Sequence, residues 1–87
     1  MNSKVVMITN ETGLHTRPGN KFVQLAKSYE SKILIANEEG KEVKGTSLLK
    51  LLSLGIKKGS KLTITADGTD EINAINGLSE LLINLKD

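Results

Sequence analysis

Lys61-Leu62-Thr63-Ile64-Thr65-Ala66-Asp67 alternates without a break, with Leu62, Ile64 and Ala66 to one side and Thr63 and Thr65 to the other. Successive side chains of a strand point to opposite faces, so this pattern reads as a half-buried β-strand. Its clean wet face argues for an antiparallel sheet covered on one side, because strands buried between two helical layers read as near-continuous apolar runs. Downstream, Thr69-Asp70-Glu71 puts acid into the first turn of a helix, and Ile72, Ile75, Leu78, Leu82 and Leu85 form its core stripe. Upstream, Gly55 and Gly59 bracket a tight Ile56-Lys57-Lys58 connection. Before it, Ser47 or Thr46 can cap a short helix whose leucines Leu48, Leu49, Leu51, Leu52 and Leu54 are too many for one buried face. A short helix lying flat on a sheet hides most of such a run. Left exposed, the same leucines make a docking surface.

Further upstream, Lys32 to Asn37 is apolar at Ile33 and Ile35, Glu38-Glu39-Gly40 supplies a turn, and a short strand is centred on Val43. The first strand runs from Lys4 to Thr9, with Val6 and Ile8 on one face and Val5 and Met7 on the other. A helix from about Thr16 to Tyr29 buries Phe22, Leu25, Ala26 and Tyr29 at the i, i+3, i+4, i+7 spacing. The order is βαββαβα. A four-stranded antiparallel sheet with three helices on one face, an open-faced β-sandwich of the α+β class, buries all three apolar stripes. The crossover helix after the first strand leaves a gap that the last strand fills. No linker, repeat or low-complexity segment interrupts residues 1–87, so a single domain is expected.

Composition narrows what such a domain can do. At 87 residues and 38% hydrophobic there is room for one core, burying on the order of 60% of the unfolded surface. Cysteine is absent, so packing alone must hold the fold. One histidine and no cysteine argue against a transition-metal site, and no cofactor is called for. Twelve basic against ten acidic residues leave a net charge of +2, with two aromatics, Phe22 and Tyr29. That is too little charge for a nucleic-acid footprint and too few rings for base stacking. Arg17, Lys21 and Lys27 suit acidic protein partners instead, although Lys21 also reads as part of a solvated helix face. Asn2, Ser3 and Lys4 follow Met1 without a long apolar run, so neither a secretory signal nor a membrane span is expected, and the cytoplasm is the default location.

The only histidine and the only proline stand together in Gly13-Leu14-His15-Thr16-Arg17-Pro18-Gly19, at a strand-to-helix junction. Proline is tolerated in a first helical turn, where backbone N–H groups lack an intrahelical partner. A helix N-terminus offers unpaired N–H donors and partial positive charge, a ready site for phosphate. The same field disfavours imidazolium and leaves one ring nitrogen of His15 nucleophilic near neutrality. Arg17 can reach an anion on that ring with charge-assisted hydrogen bonds. The cluster reads as a histidine that accepts and holds a phosphoryl group. A lone histidine near a helix start also reads as a polar residue bonded to the backbone.

Gly13-Leu14-His15-Thr16-Arg17-Pro18 resembles the active-site segment of HPr, the histidine-containing phosphocarrier family of the bacterial phosphoenolpyruvate:sugar phosphotransferase system. Lys44-Gly45-Thr46-Ser47-Leu48-Leu49-Lys50-Leu51-Leu52-Ser53-Leu54-Gly55 is similar to the family's regulatory-serine helix. Ile64-Thr65-Ala66-Asp67-Gly68-Thr69-Asp70-Glu71 resembles its last strand and the start of its final helix. The resemblance covers essentially the whole chain and implies the same βαββαβα fold. It implies that His15 is phosphorylated on Nδ1 by enzyme I, with phosphoenolpyruvate as the original donor, and passes the group to IIA domains of sugar permeases. Arg17 would stabilise the phosphate, with the backbone of Thr16 and Arg17 binding it. Ser47 falls where Gram-positive members carry a serine phosphorylated by a dedicated ATP-dependent kinase, which makes the protein a catabolite-repression signal to a transcriptional regulator. Thr16, Asn20, Gln24, Lys27, Leu48, Leu49 and Leu52 would form the partner-binding surface of a monomer.

Three departures stand out. The stretch between Ile33 and Val43 is one residue longer than in many members, through Asn37-Glu38-Glu39-Gly40. Gly19 replaces a common alanine, and Lys50 stands where Gram-positive members usually have glycine. The expected function is therefore a phosphoryl carrier with no turnover chemistry of its own. The alternative is a regulatory binding module acting through Ser47 and the leucine patch without sugar phosphotransfer. A free-standing hydrolase would need a second catalytic residue, and Glu11 is the only nearby carboxylate.

Overall fold

The computed structural model describes residues 1–9, 13, 14 and 16–84. Its elements run β1 (Asn2–Met7), α1 (Thr16–Lys27), β2 (Lys32–Ala36), β3 (Glu42–Lys44), α2 (Leu48–Leu52), β4 (Lys61–Asp67) and α3 (Glu71–Ile83). The four strands form one antiparallel sheet in the order β1-β4-β2-β3. The last strand thus inserts between the first two, with Val5 opposite Thr63 on one side and Leu34 opposite Thr65 on the other. The architecture is the open-faced α+β sandwich expected from the pattern of β4.

The inner face of the sheet carries Val6, Ile33, Ile35, Leu62, Ile64 and Ala66, all buried, and Ile8 extends it beyond β1. Against it lie Phe22, Val23 and Ala26 of α1, Leu51 of α2, and Ala74, Ile75, Leu78 and Leu82 of α3. The outer face is wet: Val5 and Met7 are exposed, and Thr63 and Thr65 are half-buried. Strand β1 begins two residues before the expected Lys4 and ends at Met7 rather than Thr9; Asn2 and Ser3 pair with Ala66 and Thr65 through their backbones. Hydrogen bonding to a formed neighbour, which propensity does not register, sets that end.

Two stripes differ from expectation. In α1 the buried line is Pro18, Gly19, Phe22, Val23 and Ala26, while Leu25 and Tyr29 are half-buried at its flank and the helix ends at Lys27. In α3, Ile72 is 62% exposed rather than part of the core. At 3.6 residues per turn it sits roughly 100° from the line through Leu78 and Leu82, and Ala74 takes the inward place in that first turn. Leu85, expected to end the stripe, lies outside the described residues. The β2–β3 turn is organised by Asn37, whose side-chain oxygen accepts N–H bonds from Glu39 at 3.0 Å and Lys41 at 2.9 Å. This Asx-type bonding closes the lengthened tip.

Two carboxylates tie the lower end of the fold. Asp70 begins α3 without capping it by a side-chain bond. Its oxygens instead accept from the Glu30 N–H at 2.8 Å, the Ser31 N–H at 2.9 Å and the Ser31 hydroxyl, pinning the α1–β2 connection to α3. The Ser31 hydroxyl foremost, then the Glu30 N–H, hold the Asp70 carboxyl below its ordinary 3.8. Glu71 receives the N-terminal ammonium at 3.0 Å, which lowers its pKa and raises that of the amine. No helix among the described residues is long and apolar enough to cross a membrane.

Candidate functional site

The segment that leads to the candidate histidine is held at both flanks by residues 56–60. Ile8 donates its N–H to the Ser60 carbonyl at 2.9 Å and accepts from the Gly59 N–H at 2.7 Å. On the far side, Leu14 donates to the Ile56 carbonyl at 3.2 Å. The approach there is closer than a side chain permits. A Cβ on Gly13 would collide with the Ile56 carbonyl oxygen and stand 2.8 Å from Lys57 Cα, and Gly13 has φ +69°. Glycine at 13 is therefore required twice, by contact and by conformation. Leu14 turns inward, 4% exposed, and anchors the segment in the core.

His15 lies outside the described residues, as does Glu11. The chain resumes at Thr16, the first residue of α1, with Thr16 and Arg17 exposed and Pro18 and Gly19 buried. No acidic residue occupies the first turn of α1. The N-terminal field of the helix is thus left uncompensated from within its own first turn. Pro18 sits where its missing N–H costs nothing.

The structure brings α1 and the leucine helix together at this end. Built onto Gly19, a Cβ would lie 3.2 Å from Leu48 Cδ1, 3.4 Å from Leu52 Cδ2 and 3.7 Å from Leu51 Cδ2. Small volume at Gly19 lets the start of α1 settle onto α2. Thr16, Asn20, Gln24 and Lys27 follow one another along one exposed face of α1. Across the contact, Leu51 is fully buried, Leu48 and Leu52 are half-buried, and Leu49 is 84% exposed. Leu48 packs against the core. The exposed part of the leucine surface is therefore centred on Leu49, and Leu54, only 8% exposed, belongs to the core.

Ser47, not Thr46, caps α2: it has extended φ/ψ of −114° and 113°, and its hydroxyl oxygen accepts the Lys50 N–H at 3.4 Å. Its carbonyl accepts the Leu51 N–H at 2.9 Å. Sequence reading missed the bracing of Gly13 and Leu14 by Ile56 and Lys57, and the Asp70 clamp. The only trace of the first is the pair of glycines, Gly55 and Gly59, that shape the connection. The second leaves no local signal, since Asp70 reads as an ordinary acidic helix start.

Known proteins resemble this chain over nearly its whole length. The family model described as the PTS HPr component phosphorylation site matches residues 2–84. The chain is 42% identical over 87 residues to phosphocarrier protein HPr of Borreliella burgdorferi, covering all of both sequences. It is 38% identical over 78 residues to the multiphosphoryl transfer protein of Salmonella typhimurium, covering 87% of this chain but only 21% of that longer protein. Among solved structures, HPr from Thermoanaerobacter tengcongensis superposes with a TM-score of 0.90 at 36% identity, covering 95% of this chain and 92% of the other.

Proposed function

This chain belongs to the HPr family of phosphocarriers of the phosphotransferase system, and from that premise we propose that His15 is its phosphoryl acceptor. A ring nitrogen of His15, Nδ1 in the family's manner, bonds to phosphorus as the donor's bond to phosphorus breaks. The reverse event at an acceptor protein returns the histidine to its starting state. Thr16 and Arg17 stand next in the chain, at the start of α1, where backbone N–H groups and a guanidinium suit the phosphoryl oxygens. The donor in this reading is enzyme I, charged from phosphoenolpyruvate, and the acceptors are IIA domains of sugar permeases.

Partners dock on the face formed by the exposed Thr16, Asn20, Gln24, Lys27 and Leu49, with the half-buried Leu48 and Leu52 beside them. The observation that carries the reading is the Gly13–Pro18 motif within a family match that spans residues 2–84. Support also comes from the geometry: a segment braced on both flanks delivers the chain to a helix start free of acid. Ser47 is the second phosphate site in this proposal, addressed by a serine kinase and read by a transcriptional regulator. Its hydroxyl stands at a helix start, where added negative charge is favourable.

The test is intact mass after incubation with phosphoenolpyruvate, magnesium and enzyme I. An acid-labile phosphate on the native chain and none on His15→Ala is expected. Labelling that survives in His15→Ala refutes the assignment.

A further inference from the structure

Lys61 opens β4 with a backbone donor that the β2–β4 ladder itself does not match. The register of that ladder sets Ala36 opposite Thr63, and two residues further it would set position 38 opposite Lys61. Strand β2 ends at Ala36, where the chain turns away through the tip organised by Asn37. A strand N–H whose neighbour has departed needs another acceptor. The Glu38 carboxylate supplies it, with Oε1 accepting the Lys61 N–H at 2.9 Å. The tip stands off from the residues it reaches, since Asn37, Glu38 and Glu39 line a cavity of about 110 Å³ against Leu54, Ile56 and Ser60. The peptide plane that carries the Lys61 N–H also carries the Ser60 carbonyl, which accepts the Ile8 N–H at 2.9 Å. A trans peptide is planar, so an acceptor that fixes the N–H on one side fixes the direction of the C=O on the other.

We propose that the Glu38 carboxylate is a strap, which orients the Ser60–Lys61 peptide and thereby holds the end of β1 closed onto residues 56–60. That connection can pass the constraint on because it is closed upon itself. Lys57 donates its N–H to Ser60 Oγ at 3.1 Å and accepts the Ser60 N–H at 3.0 Å, and the Gly59 N–H returns to the Ile8 carbonyl at 2.7 Å. Released from Glu38, the peptide plane turns toward water and the Ile8 N–H loses the alignment of its acceptor. A side chain of the β2–β3 tip thus governs local opening at β1, a strand with which neither β2 nor β3 shares a ladder. Because the contacts join residues 8, 38, 60 and 61, the strap stands independently of the reading of His15.

Amide hydrogen exchange followed residue by residue in NMR spectra, at matched pH and temperature, tests the strap. Glu38→Ala is expected to speed exchange about tenfold at both Lys61 and Ile8, through a local opening that leaves the rest of the sheet intact. Ile64, which pairs with Lys4, stays within about twofold of the native chain. Glu38→Gln keeps an oxygen able to accept the Lys61 N–H and restores protection at both amides to within about threefold of native. Glu39→Ala, which removes the neighbouring carboxylate from the same tip, leaves all three amides as they are. Faster exchange at Lys61 with Ile8 unchanged overturns the inference, because the bond would then transmit nothing. No change at either amide overturns it as well, and an equal rise at Ile64 replaces it with general loosening. A Glu38→Gln variant as fast as Glu38→Ala, or a Glu39→Ala variant that matches it, also refutes the strap.

Discussion

Replacing Gly19 by alanine tests how closely the start of α1 is fitted onto α2, and the sign of the effect follows from three terms. Alanine in a helix interior is favoured over glycine by about 0.5–1 kcal/mol, through reduced backbone entropy in the unfolded chain. The added methyl enters a buried position and removes apolar surface from water, a gain of up to about 0.8 kcal/mol. Against this stands contact with Leu48 Cδ1 at 3.2 Å, a few tenths of an ångström tighter than comfortable, while Leu52 and Leu51 lie at 3.4 and 3.7 Å. Forcing a methyl into a rigid core costs about 1–3 kcal/mol. The tight atom here is the tip of a half-buried leucine that can rotate outward, so most of that penalty is avoided. Gly19→Ala should therefore stabilise the domain by about 0.5–1 kcal/mol. For a chain of this size that raises Tm by roughly 3–7 °C. Urea titration followed by circular dichroism should show a higher midpoint at unchanged slope. A lower midpoint would mean that Leu48 cannot yield, and the account of the α1–α2 contact would be wrong.

Other expectations follow from the same structure. Asp70 and Glu71 have pKa values below their ordinary 3.8 and 4.5, so their contribution to stability is complete above pH 4.5 and is lost as pH falls through the lowered values. Asp70→Asn should flatten the acid limb of Tm against pH, and a limb as steep as the native one would remove Asp70 as its cause. The raised pKa of the N-terminal amine works in the other direction: its contribution is complete below 8.0 and fades as pH rises past the raised value. Leu49→Asp should weaken binding of enzyme I about tenfold or more in calorimetry while leaving Tm within about 2 °C, because the side chain is almost wholly exposed. An unfolded Leu49→Asp variant would contradict that exposure.

The β4 alternation was readable because one face of the strand is wet and the other dry, which is the condition under which hydrophobic pattern and register coincide. The same reasoning placed β1, the hairpin and the insertion of β4, since a helical crossover from β1 forbids a hairpin to β2. Where the pattern was two-sided it misled. Leu25 and Val23 are both apolar, and only the direction from which the sheet meets α1 decides that Val23 goes inside. Ile72 is apolar and exposed for the same reason. The leucine helix was legible as a surplus of apolar residues, but not in its division, with Leu51 buried and Leu49 outside. At the site, the histidine, arginine and proline announce themselves by type. Their support does so only through Gly55 and Gly59, because Ile56, Gly59 and Ser60 hold Ile8 and Leu14 through backbone atoms some 40 residues downstream, and backbone bonding leaves little mark on residue identity.

The insertion of β4 between β1 and β2 also sets a timetable for biosynthesis. Until residues 56–67 have left the ribosome, β1 has no strand partner and the flanks of the histidine segment have nothing to hold them. A nascent chain therefore carries the Gly13–Pro18 motif for most of its synthesis without its supporting backbone. The late strand supplies the sheet and the brace in one event, so a partner enzyme meets either an unformed segment or a finished carrier.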